Sequence, residues 1–182
     1  LTVSLPPPAS TWTKLMPSPA GQVAVVAVPI GTPVRGCRVA PEAARYAGFT
    51  THPAPECFVC GPLRDEGDAL RIFAGPLAPG VAAAPWTPDP SLDRGDGHVA
   101  PEFIWAALDC PGFAAATPDM RPMLLGELTA RIDRPVRVGD ECVVVGWVIG
   151  VSGRKHEAGT ALYDSARNLC AVARAIWIEP RR

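Results

Sequence analysis

Lysine is nearly absent from this sequence: Lys14 and Lys155 are the only two, so the other basic residues are arginines. Asparagine is rarer still, with Asn168 alone. That bias points to a GC-rich coding sequence and carries no functional information. Net charge is -1, from 17 Lys+Arg against 18 Asp+Glu, so the basic footprint that nucleic-acid binding needs is missing. No apolar stretch approaches the roughly 20 residues of a membrane span; 23–28 is as long as any, at six residues. The opening residues carry neither a basic region nor a long apolar core, which argues against a secretory signal. A cytoplasmic protein without nucleic-acid or membrane partners is expected. Six cysteines in 182 residues are too dilute for a disulfide framework, so reduced thiols are expected. Dinucleotide and Walker glycine loops and the Gly-x-Ser-x-Gly elbow are missing as well, which removes support for those enzyme classes.

What is present suits a well-cored protein of one domain plus an appendage, with 48% hydrophobic and 19% charged residues. The 22 prolines and 17 glycines are spread as punctuation rather than clustered in a low-complexity tract. The last third reads most clearly. Residues 123–133 form an apolar run stopped by Arg134-Pro135, and 141–151 form a β-branched run closed by Ser152-Gly153. Residues 155–164 alternate loosely, Asp164-Ser-Ala-Arg-Asn168 reads as a turn, and Leu169–Ile178 as a final strand. Four strands with short turns predict an antiparallel meander. Shorter strands are expected at 70–73 and 80–86, split by Gly75-Pro76.

One helix stands out before the meander. Pro101 suits a first helical position and Glu102 a first turn, and Phe103, Ile104, Ala106, Ala107 and Leu108 follow at helical spacing. Pro111 ends or kinks it, because proline cannot donate to the carbonyl four residues back. An apolar helix beside an antiparallel sheet should lie across one face as its core, an α+β arrangement.

The first 54 residues read differently. Leu1-Thr-Val-Ser-Leu-Pro-Pro-Pro8 echoes Leu128-Thr-Ala-Arg-Ile-Asp-Arg-Pro135, residues 22–28 read as a strand, 41–46 as a short helix and 51–55 as a linker. Residues 1–54 are therefore expected to be the back half of a first repeat, with 55–182 a complete second one. The chain opens without Met, and the front half of that repeat is expected to lie outside it.

A strand pair, an apolar helix and a strand meander follow the order of the hotdog fold. Cys57-Phe-Val-Cys-Gly61 with Leu70-Arg-Ile-Phe73, then Arg134-Pro135, Gly139-Asp140, Gly153-Arg154 and Ala171-Val-Ala-Arg-Ala175, resemble acyl-CoA thioesterases of the phenylacetate-pathway type over residues 55–178. The remnant at the start resembles the double-hotdog arrangement. The resemblance implies a sheet wrapped around a central helix, paired hotdog units (here a homodimer) and an acyl-thioester site between them, with no cofactor.

In the thioesterases this resembles, an acid on the central helix activates water or attacks the thioester carbonyl, and Asp109 falls at that place. A position near a helix C-terminus would raise its pKa, which suits a general base; the plainer reading is a polar residue closing a helix. Glu102, seven residues earlier, is a second candidate acid, but the roughly 10 Å of helical rise between them rules out a tightly coupled pair. The chain departs from the pattern where those thioesterases carry His-Gly-Gly: it has Ala100-Pro101-Glu102, and Pro101 has no amide to hold an oxyanion. That departure supports a second reading, a non-catalytic acyl or small-ligand binding protein.

A third reading is an enoyl-CoA hydratase-like site, because Asp93 and His98 have the Asp-x4-His spacing, within a stretch that also reads as a glycine-rich loop. His98 and Trp105 are candidate substrate contacts, with Trp86 beside them, although a tryptophan here is more often core. Arg154, Lys155 and His156 form a basic cluster that could meet coenzyme A phosphates or be a solvated turn. Cys57 and Cys60, with His52 near, make half a zinc pattern; without a second pair they read as a tight turn with small buried thiols, and no metal is expected.

Overall fold

The computed structural model describes residues 40–181. Residues 1–39 carry the sequence echo and the strand expected at 22–28, and those expectations lie outside the described residues. Two short helices, α1 (Ala40–Ala43) and α2 (Gly48–Thr51), lead to a hairpin of β1 (Gly75–Ala78) and β2 (Val81–Trp86). Helices α3 (Pro101–Ala107) and α4 (Cys110–Ala116) follow, then β3 (Leu124–Ile132), β4 (Cys142–Ser152), β5 (Lys155–Tyr163) and β6 (Leu169–Ile178). All six strands form one antiparallel sheet in the order β1-β2-β4-β5-β6-β3.

Three features of that order correct the sequence reading. First, β3, β4, β5 and β6 are strands as expected, but they are not a four-strand meander. β3 pairs with β6, Thr129 opposite Arg174, so the 133–141 connection carries the chain past β6 and β5. That connection is anchored rather than loose. The amides of Asp133 and Arg134 donate to Cys170 O at 2.8 and 3.0 Å, and Val136, 1% exposed, accepts from the Val99 amide at 2.9 Å.

Second, 70–73 is not a strand of the sheet. Leu70 and Ile72 are buried, but Arg71 between them has a φ of 54°, which breaks an extended run, and their amides donate to Phe58 O and Val59 O at 2.9 and 2.8 Å. Apolar alternation placed the side chains inward; the backbone partner is the cysteine loop. The strand forms instead across Gly75-Pro76, which was expected to be the break. Proline is tolerated there because β1 is an edge strand, in which every other amide faces away from the ladder.

Third, the helix does break here, but just before Pro111, which starts a second helix. α3 closes at Leu108, Asp109 is the N-cap residue of α4, and Pro111 sits in the first turn of α4, where its missing amide would have no intrahelical partner. α4 is the core element: Cys110, Pro111, Gly112, Phe113, Ala114 and Ala115 are all buried. Small residues let it lie close on the sheet. A Cβ on Gly146 of β4 would stand 2.0 Å from the Pro111 carbonyl oxygen, so glycine is required at that crossing. On the same face Phe113 meets Trp177 of β6 with ring centroids 5.1 Å apart.

The opposite face of the sheet is apolar too. Val143, Val145, Trp147, Ala161 and Val172 are buried there in separate small clusters. That double burial is why β4 reads as a continuous apolar run rather than an alternating one. Among the described residues no helix is long and apolar enough to cross a membrane.

Candidate functional site

Chemistry gathers at the break between α3 and α4. Asp109 sits in that break, its amide bonded to Ala106 O at 3.1 Å and its side chain making no capping bond. Its Oδ1 is buried without a hydrogen-bond partner. Burial pushes the carboxyl up to about 6, and negative charge at Cys57 adds to the effect. The raised pKa expected from a helix C-terminus is therefore present, but burial is its main cause. A half-buried carboxyl in that range can hold or release a proton near neutral pH, as a general base requires.

The cysteine loop closes over this break. Gly61 N donates to Cys57 O at 2.8 Å, and a Cβ on Gly61 would meet Cys57 N at 2.4 Å, so the turn needs glycine. Phe58 packs on Phe103 of α3 at 6.1 Å between centroids, while Cys57 Sγ lies 3.7 Å from Cys110 Sγ at the start of α4. One loop thus touches both half-helices around Asp109. The hydrogen bond with Cys110, then that with Cys60, holds the Cys57 thiol well below its ordinary range against the opposing effect of burial. Cys110 is raised, first by its bond with Cys57.

His52 Nε2 stands 3.2 Å from Cys60 Sγ, and its Nδ1 accepts from the Ala54 amide at 2.9 Å. The Tyr46 hydroxyl donates to Cys60 O at 3.3 Å. Spacing alone gave no ground to join a third thiol to the pair, although Cys110 stands out as a later thiol near a helix. Cys110 is fifty residues from the Cys57–Cys60 pair, and only the fold brings α4 under the loop.

The other candidate residues are not gathered here. Glu102 is exposed in the first turn of α3, and Trp105, 40% exposed, is on the same helix. Asp93 Oδ1 accepts from the amides of Gly95, Asp96 and Gly97 at 2.8, 3.1 and 2.9 Å, so it shapes the glycine-rich loop. His98 Nδ1 lies 3.1 Å from Asp96 Oδ1. With those side chains occupied in the loop, nothing in the geometry favours the hydratase reading. Arg154 lies at the β4–β5 turn, its Nη1 donating to Glu179 O at 2.6 Å, with Lys155 exposed beside it. His156 leaves the expected basic cluster: it is 4% exposed, with Nε2 2.9 Å from Glu179 Oε1. Trp86 is core, at 3% exposure.

No protein-family model matches the chain, and no curated protein matches it. Solved structures do. A thioesterase superfamily protein aligns at TM-score 0.56 and 18% identity over 60% of this chain and 57% of its own, so the chain spans a little over half of that protein. The PaaI protein of the E. coli phenylacetic acid degradation operon aligns at TM-score 0.55 and 14% identity, over 60% of this chain and 84% of its own. A Streptococcus mutans protein solved with acetyl CoA bound aligns at TM-score 0.51 and 8% identity, over 58% and 85%. The fold is therefore α+β and hotdog, that of thioesterase-superfamily structures.

Proposed function

We propose that this chain is a cytoplasmic acyl-CoA thioesterase-like protein that takes an acyl thioester in a groove formed with a second hotdog unit, with Asp109 as the acting carboxylate. The observation that carries the reading is the buried, unpartnered Oδ1 of Asp109 in the α3–α4 break. A carboxylate with one oxygen kept from water and from donors is an available base. Acting on water, Asp109 takes one proton as the hydroxyl oxygen adds to the thioester carbonyl. The C–S bond then breaks, and the departing thiolate takes up the proton to leave as a thiol. Acetyl CoA in a neighbour of the same fold supports coenzyme A as the carrier. The exposed Arg154 and Lys155 are the charges assigned to its phosphates, Trp105 the apolar contact for the acyl group and His98 a polar one, while Glu102 is a lesser acid candidate at the groove mouth.

A second unit is favoured by β3. It is a nine-residue edge strand with Leu124 63% and Leu125 40% exposed, and such an edge calls for a partner strand. We assign that partner to a second copy, giving a homodimer, and keep residues 1–54 as a partial first repeat.

Pro101 favours one competing reading. It stands at the first position of α3 without an amide hydrogen, so an oxyanion is not held there as by the His-Gly-Gly donors, and a protein that binds thioesters without turning them over would look the same. The test is thiol release from short, long and aromatic acyl-CoAs, corrected for the protein's own cysteines, with Asp109→Ala alongside. Turnover that falls at least about a hundredfold in the variant supports the hydrolase. Folded protein that turns over no thioester but is stabilised by one against heat supports the binder.

A further inference from the structure

We propose that Cys57, Cys60 and Cys110 form a zinc site, with His52 as the group that orients and supports its sulfurs. The three Sγ atoms lie within 4.8 Å of one another, and Cys57 and Cys110 are 3.7 Å apart. Zinc–sulfur bonds of about 2.3 Å in a tetrahedron place the sulfurs about 3.8 Å from each other, so little movement is needed to admit the ion. A disulfide would need about 2.05 Å between sulfurs, and Cys57 and Cys110 are far from that. Three thiols and no carboxylate in the set select a soft, thiophilic ion over magnesium or calcium.

The surroundings are built for sulfur ligands. The Cys57-x-x-Cys60-Gly61 turn is closed by the Gly61 amide, which donates to Cys57 O at 2.8 Å and keeps the two thiols on one loop. Because His52 Nδ1 accepts from the Ala54 amide, its proton is on Nε2, which donates to Cys60 Sγ at 3.2 Å. His52 is thereby a positioning residue, the usual role of a group outside the ligand set. Cys60 and Cys110 are 2% and 6% exposed, while Cys57 is half-buried. The ion enters from the Cys57 side, and its fourth position is left to solvent there. The half-pattern in the sequence is completed by a thiol from the core helix. The site would pin the cysteine loop to the first residue of α4, beside Asp109.

The experiment measures metal and not turnover, so it is independent of the proposed hydrolysis. Full-length protein in reductant is loaded with zinc, dialysed against metal-free buffer and analysed for bound metal. Cobalt(II) titration in parallel reports ligand type by absorbance. One zinc per chain is expected, with thiolate-to-cobalt charge transfer and the strong visible bands of a tetrahedral ion, both bleached by zinc. Cys110→Ser should abolish stoichiometric binding, and His52→Ala should keep it at about 10–100-fold weaker affinity. Cys142→Ser, a buried thiol on β4, should leave it unchanged. Should Cys110→Ser fail to fold, alkylation of the wild type decides: zinc must protect Cys57, Cys60 and Cys110, and chelation must remove that protection. Wild type that takes up neither metal, equal loss in Cys142→Ser, a Cys57–Cys110 disulfide in the purified protein, or alkylation indifferent to zinc would each overturn the site.

Discussion

The two half-helices differ as sharply as any two neighbours in this molecule. α3 is half out of the protein: of its seven residues only Ile104 and Ala107 are buried. α4, also seven residues, buries six of them. Both are apolar in sequence and both begin with proline in their first turn. The difference comes from residue size. Cys110-Pro-Gly-Phe-Ala-Ala-Ala is narrow enough to lie on the sheet, while α3 sets Phe103 against Phe58 of the cysteine loop and Trp105 partly in solvent. α4 therefore holds the fold, α3 presents a surface, and Asp109 sits where one role passes to the other.

If that division is right, the largest stability losses fall on α4. Phe113→Ala should cost about 3–5 kcal/mol, because a buried ring against Trp177 leaves a cavity. Urea unfolding measures it; a loss under about 1 kcal/mol would mean that α4 is not the core element. Gly146→Ala should follow at about 3 kcal/mol, since its new methyl would sit 2.0 Å from the Pro111 carbonyl oxygen and force β4 and α4 apart. Loss of cooperative unfolding in either variant would agree with the same picture.

These two residues also show what the sequence could reveal. The strands of the last third were readable because β-branched runs end at Ser152-Gly153 and at the Asp164–Asn168 turn, where the Asn168 amide bonds Asp164 Oδ1 at 2.7 Å. Their neighbours were not readable. Nothing local to 123–133 says that it joins β6 across the sheet, because pairing is set by what the 133–141 connection docks against. Residues 70–73 carried the right side-chain pattern for a strand, and Phe58 and Val59 claimed their amides. Asp109 could be picked out only through the resemblance to thioesterases, and Cys57 and Cys60 from their spacing. Cys110 could not: its link to them exists only once α4 is placed under the loop.

At the junction the expected effects are opposed. Asp109→Asn should end thioester turnover and yet raise stability at neutral pH by about 1 kcal/mol, because it removes a buried charge that has no partner at Oδ1. Thermal unfolding and the thiol-release assay on the same sample check both halves. A variant that loses stability would show that the carboxylate is holding the two half-helices together and is not set aside for chemistry. On the exposed edge, Leu124→Lys should change folding stability by no more than about 0.5 kcal/mol, since Leu124 is 63% exposed. It should still turn a dimer into a monomer in sizing with light scattering. A wild type that is itself monomeric at micromolar concentration would remove the second unit from the proposed groove.

An equally small stability effect is expected on α3, and it tests the surface half of the comparison. Trp105 is 40% exposed, so Trp105→Ala should stay within about 0.5 kcal/mol of wild type, several times less than Phe113→Ala one helix later. Its effect should appear in KM for long or aromatic acyl-CoAs, where a lost ring contact raises KM while kcat is kept, because that contact is made equally before and during the reaction. A Trp105→Ala protein that unfolds like Phe113→Ala would make α3 a second core helix. One with unchanged KM across acyl chains would move the acyl contact to another face of the groove. Only the combination of a small stability change and a chain-dependent KM keeps α3 as the surface that meets the substrate.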